Sequence, residues 1–179
     1  MQYSVPTTTH TSSLPTTSLT SSIMTRTVYL LIYSSPLFPA HWALWIPSLH
    51  DPTIGKRLHV EGDASNGFEI AFIRNYVLDV TSRPHQSLPL AEVADHHVLD
   101  VNGDGSPSSD SIAHDDLERV LLSVPAPGAS LVSSSSQGPR KRVQIQNCQT
   151  WLSDAVAALV EHGIMNQSAL QIIDNAPKN

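Results

Sequence analysis

Between residues 27 and 76 the chain carries four strand-length segments in quick succession, and this run constrains the fold more than any other feature. TVYLLIY (27–33) is rich in β-branched and aromatic residues, and HWALWI (41–46) is apolar and aromatic. KRLHVEG (56–62) alternates, and FEIAFIRNY (68–76) reads as a fourth strand. The links SSPLFPA, PSLHDPTIG and DASNG are short and rich in proline, glycine, serine and aspartate. A parallel return needs a crossover of roughly a dozen residues or more. Strands joined this closely therefore pair antiparallel, and a meander is expected.

The rest of the chain supplies a second layer. SLPLAEV (87–93) has the length of a short strand, and DVNGDGSPSSDS (100–111) reads as a polar loop. AHDDLERVLLSV (113–124) is expected to be helical, with Asp115, Asp116 and Glu118 near its start, where the helix dipole favours acids. PAPGASLVSSSSQGPRKR (125–142) reads as a loop with a mobile serine run. From Cys148 the spacing turns helical, with Leu152, Ala155, Val156, Leu159 and Val160 on one face. His162-Gly163 suits its end, and NQSALQIID (166–174) adds a short helix. The expected fold class is α+β: an antiparallel sheet of about four to six strands packed on a helix that begins at the cysteine.

Composition bounds the function classes. The first 25 residues are rich in Ser and Thr, hold no acid and lack the charged and apolar regions of a secretory signal, so a disordered tail is expected over 1–25. Met24 is an alternative start. Residues 26–179 then form a single domain with mobile loops near 100–111 and 125–142. No apolar run approaches the roughly 20 residues needed to span a bilayer. A net charge of −6 argues against a nucleic-acid partner, and RKR (140–142) is too short to reverse that. One cysteine among 179 residues forms no internal disulfide, which suits a reducing compartment, the cytoplasm.

That cysteine raises a chemical question. Asn147 is a good N-cap, so Cys148 is set at a helix N-terminus, where unpaired N–H groups favour thiolate and hold an oxyanion. The expectation is a thiol that alkylates well below its ordinary pKa of about 8.5. A lone cysteine is also ordinarily an inert core residue, and a strand histidine ordinarily structural. A nucleophilic thiol needs an imidazole base oriented by a third group. Of the nine histidines, His41 and His59 stand on neighbouring expected strands. A hairpin centred near residue 50 puts them roughly opposite each other on one face; a one-residue slip would separate them.

HWALW and LHVEGD, followed about 90 residues later by NCQTWL, resemble the circularly permuted papain-like thiol enzymes, namely the lecithin–retinol acyltransferase family and the PPPDE peptidases. The combination also resembles small fungal proteins, some associated with secondary metabolism. The resemblance implies Cys148 as nucleophile, His41 as general base and His59 as third polar residue, with Glu61 and Asp63 as alternative orienters. It implies a hydrolase or acyltransferase acting on an ester, thioester or (iso)peptide carbonyl, with a small acyl substrate or peptide as partner and no cofactor. A catalytically silent accessory protein of the same fold is the alternative. The segment 77–142 matches no element of these families, and the oligomeric state is left open.

Two further patterns are weaker. DVNGDG (100–105) opens like a calcium loop, but its twelfth position is Ser111 rather than glutamate. Asp95-His96-His97 with Asp100 lacks metal-ligand spacing, because neighbours on a strand point to opposite sides. No metal is expected.

Overall fold

The computed structural model describes residues 24–130 and 145–179. The meander forms as its short links require: β1 (Thr25–Tyr33), β2 (His41–Pro47), β3 (Ile54–Asp63) and β4 (Gly67–Val77) pair in sequence, each antiparallel to the last. β5 (His85–Ala94) adds to the free side of β1, and β6 (Ser108–Asp110) to the free side of β4. The result is an open six-stranded sheet in the order β5-β1-β2-β3-β4-β6. Three helices follow: α1 (Asp116–Ser123), α2 (Cys148–Glu161) and α3 (Ser168–Asp174). The domain is α+β, and none of the helices in the described residues is long and apolar enough to cross a membrane.

Period-two alternation decides what each sheet face meets. Val28, Leu30 and Ile32 of β1, Trp42, Leu44 and Ile46 of β2, and Leu58 and Val60 of β3 point to one side. There they join Leu152, Ala155, Val156 and Leu159 of α2 in the main core. Each large side chain buried in this way contributes about 1.5–3 kcal/mol. The alternate residues Leu31, Tyr33, Ala43 and Trp45 form a smaller core on the other face.

Placing β5 beside β1 has a consequence for that second face. From β4 the chain must pass β3, β2 and β1, at least roughly 19 Å at ~4.8 Å per step. Residues 78–84, between the two strands, reach about 25 Å when extended, so this crossover has little slack. It runs over the smaller core: Leu78 packs against that cluster, and the Arg83 guanidinium lies 5.4 Å from the Tyr33 ring centroid.

α1 is tied to the sheet by charge as well as by packing. Lys56 pairs with Asp115 and, at 2.7 Å, with Glu118. Arg74 also pairs with Glu118, and with Asp110 of β6 at 2.9 Å. Burial pushes the Glu118 carboxyl up, but the Arg74 hydrogen bond and the charge of Lys56 outweigh it and hold the carboxyl below its ordinary range. Asp115 caps the helix through Glu118 N at 2.8 Å. Two of the three acids expected near the helix start, Asp115 and Glu118, are thus also buried ion-pair partners. Local periodicity does not reveal this, because Lys56 and Arg74 come from distant strands.

Three other expectations change. The polar loop expected over 100–111 contains β6, whose pairing Arg74 secures through Asp110. Residues Asp95–His97 form a 3-10 turn, not part of a strand. The serine run and RKR fall in 131–144, and all but the end of the Ser/Thr-rich stretch in 1–23, outside the described residues; Thr25 already belongs to β1.

Candidate functional site

His41 opens β2, and His59 lies in the second half of β3. The ladder pairs Leu44 with Leu58 and Trp45 with Arg57. Continued, it puts His59 level with Ala43, two residues from His41, rather than directly opposite it. An even offset keeps both side chains on one face, so the rings meet on the diagonal. His41 Nε2 lies 3.0 Å from His59 Nδ1, with the rings edge to face at 81°. The ladder stops at Leu44–Leu58, short of both histidines.

The surroundings of the pair are aromatic and cationic. The Tyr33 ring centroid is 5.9 Å from that of His41, and an Arg57 terminal nitrogen is 3.4 Å from His59 Nε2. Burial, then the charges of Arg57 and Arg83, push His41 down to about 4. Burial, then Arg57 and His41, push His59 down to about 3. Both rings are therefore neutral at neutral pH.

Neutral rings make the tautomer decisive. If His41 Nε2–H donates to His59 Nδ1, His41 Nδ1 keeps its lone pair and can act as a base. If Arg57 instead donates to His59 Nε2, the His59 proton moves to Nδ1 and donates to His41 Nε2. His41 then carries its own proton on Nδ1. At 3.4 Å the Arg57 contact is at the outer limit of a hydrogen bond, whereas the imidazole contact is 3.0 Å.

Cys148 begins α2 as the sequence expects. Asn147 Oδ1 accepts from Gln149 N at 3.0 Å and Thr150 N at 3.2 Å, and Asn147 N donates back to Thr150 Oγ1 at 3.4 Å. This capping box is worth about 1 kcal/mol. The sulfur packs against the start of β2: Sγ is 3.9 Å from Ala40 O, and the N–H groups of Trp42, Gln149 and Cys148 are directed at it. The thiol thus touches the backbone on both sides of His41. It makes no hydrogen bond to either imidazole among the described residues, because the His41 side chain alternates to the face of Tyr33 while Cys148 belongs to the helix-side core.

The expected thiolate is a correction. Burial, with only 8% of Cys148 exposed, raises the thiol pKa by more than the three N–H groups lower it. The segment after α3 adds to this cover. Trp42 Nε1 donates to Pro177 O at 3.0 Å, and Ala40 N donates to Lys178 O at 2.9 Å. Gln149 Nε2 donates to both Lys178 O at 2.9 Å and Ala40 O at 2.8 Å.

The candidate orienters separate clearly. His59 contacts His41. Asp63 turns away to accept from Ser65 N and Asn66 N in the β3–β4 turn. Glu61 is exposed and pairs across the sheet with Glu69. Of the weaker metal candidates, Asp100 bonds Arg26, and His97 bonds Asp116.

The model of a family described as "Family of unknown function (DUF6540)" matches residues 28–166, from β1 to just beyond α2. The chain belongs to the DUF6540 family. The matched span includes His41, His59 and Cys148. No curated protein and no solved structure matches the chain.

Sequence reasoning missed one residue of this DUF6540 site. Arg57 stands two positions before His59 and so shares its face; that period-two spacing was the available signal. It also missed the Pro177–Lys178 cover, which follows from no local pattern. The raised thiol leads to a measurable expectation. The iodoacetamide rate of the folded chain should reach its half-maximum at a higher pH than that of the urea-unfolded chain, which does so near the ordinary thiol pKa of about 8.5. A plateau below pH 7 in the folded chain would show that the helix N–H groups outweigh burial.

Proposed function

We propose that this DUF6540 chain is a cysteine-dependent hydrolase or acyltransferase of permuted papain-like fold, acting on an ester, thioester or (iso)peptide carbonyl. One observation carries the reading: Cys148 Sγ, at a capped helix N-terminus, rests on the backbone either side of His41, whose Nε2 is engaged by His59. The site works from a neutral thiol and a neutral imidazole, not from a preformed ion pair. Because the His41 ring lies on the Tyr33 face and Sγ on the helix side, the start of β2 must rearrange for catalysis, after which His41 Nδ1 takes the thiol proton as sulfur adds to the carbonyl carbon. The N–H groups now directed at Sγ hold the developing oxyanion. The tetrahedral adduct expels its alkoxide, thiolate or amine, which receives the proton from His41, and leaves an acyl thioester on Cys148. Water or a second nucleophile then gives its proton to His41, attacks the thioester and restores the thiol. The substrate must displace the Pro177–Lys178 carbonyls from Ala40, Trp42 and Gln149. No cofactor takes part, and the reducing cytoplasm suits the lone thiol.

A second reading, a catalytically silent accessory protein, is favoured by the burial of Cys148 and its raised pKa. Incubation with a panel of activated esters, thioesters and aminoacyl amides separates the two. The catalytic reading expects turnover and an acyl mass increment on Cys148, both absent in Cys148→Ala. Equal release by the two proteins across the panel assigns the chain to the silent class.

A further inference from the structure

The face of the sheet away from the helices holds a feature the thiol chemistry does not use. Beside the crossover lies a cavity of about 560 Å³, lined by Arg57, Tyr76, Val77, Val80, Thr81 and Pro107. Its walls are largely apolar, and Arg57 is their only charged residue. The Arg57 guanidinium lies 4.4 Å from the Tyr76 ring centroid and 6.0 Å from that of Tyr33. These rings hold it in place but give it no counter-charge.

The other cations in the folded interior are neutralised. Arg26, Lys56 and Arg74 each pair with carboxylates. Arg57 makes no salt bridge among the described residues, and its buried Nε has no hydrogen-bond acceptor there. The nearest acids on its strand face, Glu61 and the Glu69 paired with it, are exposed and lie farther along β3 and β4. Trp45, directly paired with Arg57 across β2 and β3, has an equally orphaned buried Nε1. A buried donor without a partner costs about 1–3 kcal/mol. An unpartnered Nε on the one uncompensated cation lining an apolar cavity calls for an anionic acceptor.

We propose that this cavity binds a small organic anion with an apolar body, its carboxylate accepting from the Arg57 guanidinium and its body lying on Tyr76, Val77 and Val80. The site stands whether or not Cys148 is a nucleophile, because it uses the opposite face of the sheet. Arg57 nevertheless joins the two regions, since the same guanidinium contacts His59. An anion bound there draws Arg57 hydrogen bonding away from His59 Nε2 and offsets the charge that depresses both imidazoles.

Calorimetric titration of the full chain with octanoate and with octylamine, which share an apolar body but differ in charge, tests the assignment. Two variants accompany it. Arg57→Gln removes the anchor. Val80→Glu, at a position 79% exposed and so tolerant of substitution, sets a like charge at the rim. The expected result is saturable octanoate binding to the wild type, weakened about tenfold or more in both variants, with no octylamine binding. Should Arg57→Gln fail to fold by circular dichroism, Val80→Glu decides alone. The proposal is overturned by equal binding of octanoate and octylamine, by unchanged octanoate affinity in a folded variant, or by no octanoate heat at millimolar concentration.

Discussion

His41→Ala is expected to lower kcat/KM on whichever panel substrate turns over by about 10³-fold, within the range for loss of a general base. The remaining rate would come from the helix N–H groups and substrate binding alone. His59 acts through His41, so its variants separate positioning from proton transfer. His59→Asn keeps an acceptor for His41 Nε2–H and should retain much of the activity. His59→Ala removes the acceptor, lets the ring choose the wrong tautomer, and should lose more. The pH profile gives a second readout. A histidine held at about 4 stays an unprotonated base down to that pH, so the acid limb of kcat/KM should fall near pH 4 rather than near 6.5. Arg57→Gln removes one charge that depresses His41 and should move the limb upward. An acid limb near 6.5 in the wild type, or equal losses for His59→Asn and His59→Ala, would remove His41–His59 from the mechanism.

Glu118→Ala should cost about 4 kcal/mol of stability in urea unfolding, among the larger effects of a single substitution. Glu118 is fully buried and accepts from Lys56, Arg74 and the backbone N–H of His114. Removing it leaves two buried cations sharing Asp115 and Asp110 and opens a cavity between α1 and the sheet. Asp110→Asn touches the same cluster at its open end, where the Asp110 side chain is 28% exposed. It should cost only about 1 kcal/mol, because solvent screens that end. A loss below 1 kcal/mol for Glu118→Ala would mean the cluster repacks without it.

These groups also set the direction of pH dependence. The folded pKa values of His41 and His59 lie below their unfolded value of about 6.5. As pH falls below 6.5, the unfolded chain takes up protons that the folded chain refuses, so stability is lost down to about pH 3. Glu118, held below its ordinary value, adds to the loss at the lower end of the same range. Acid is therefore the destabilising direction for both the candidate site and the ion cluster.

Particular residues show how far the sequence could be read. The four meander strands follow from their patterns and short links, and the helix start at Cys148 follows from Asn147. Local chemistry decides both: Asn147 Oδ1 needs only the next turn of backbone to cap α2. His41 and His59 share a face because alternation fixes faces wherever the register offset is even. The two-residue offset itself lay beyond that reading, because the β2–β3 turn sets it.

The antiparallel meander, the helix at the cysteine and the common face of the two histidines therefore follow from local pattern. Each depends on periodicity or capping within a few residues. Three outcomes follow only from how distant segments pack: β5 returns to β1 across the second face, Glu118 lies between Lys56 and Arg74, and burial raises the Cys148 thiol pKa. Those outcomes depend on which distant segments exclude water from a group. A helix N-terminus favours negative charge locally, but burial by the rest of the chain sets the larger desolvation cost, and here burial wins.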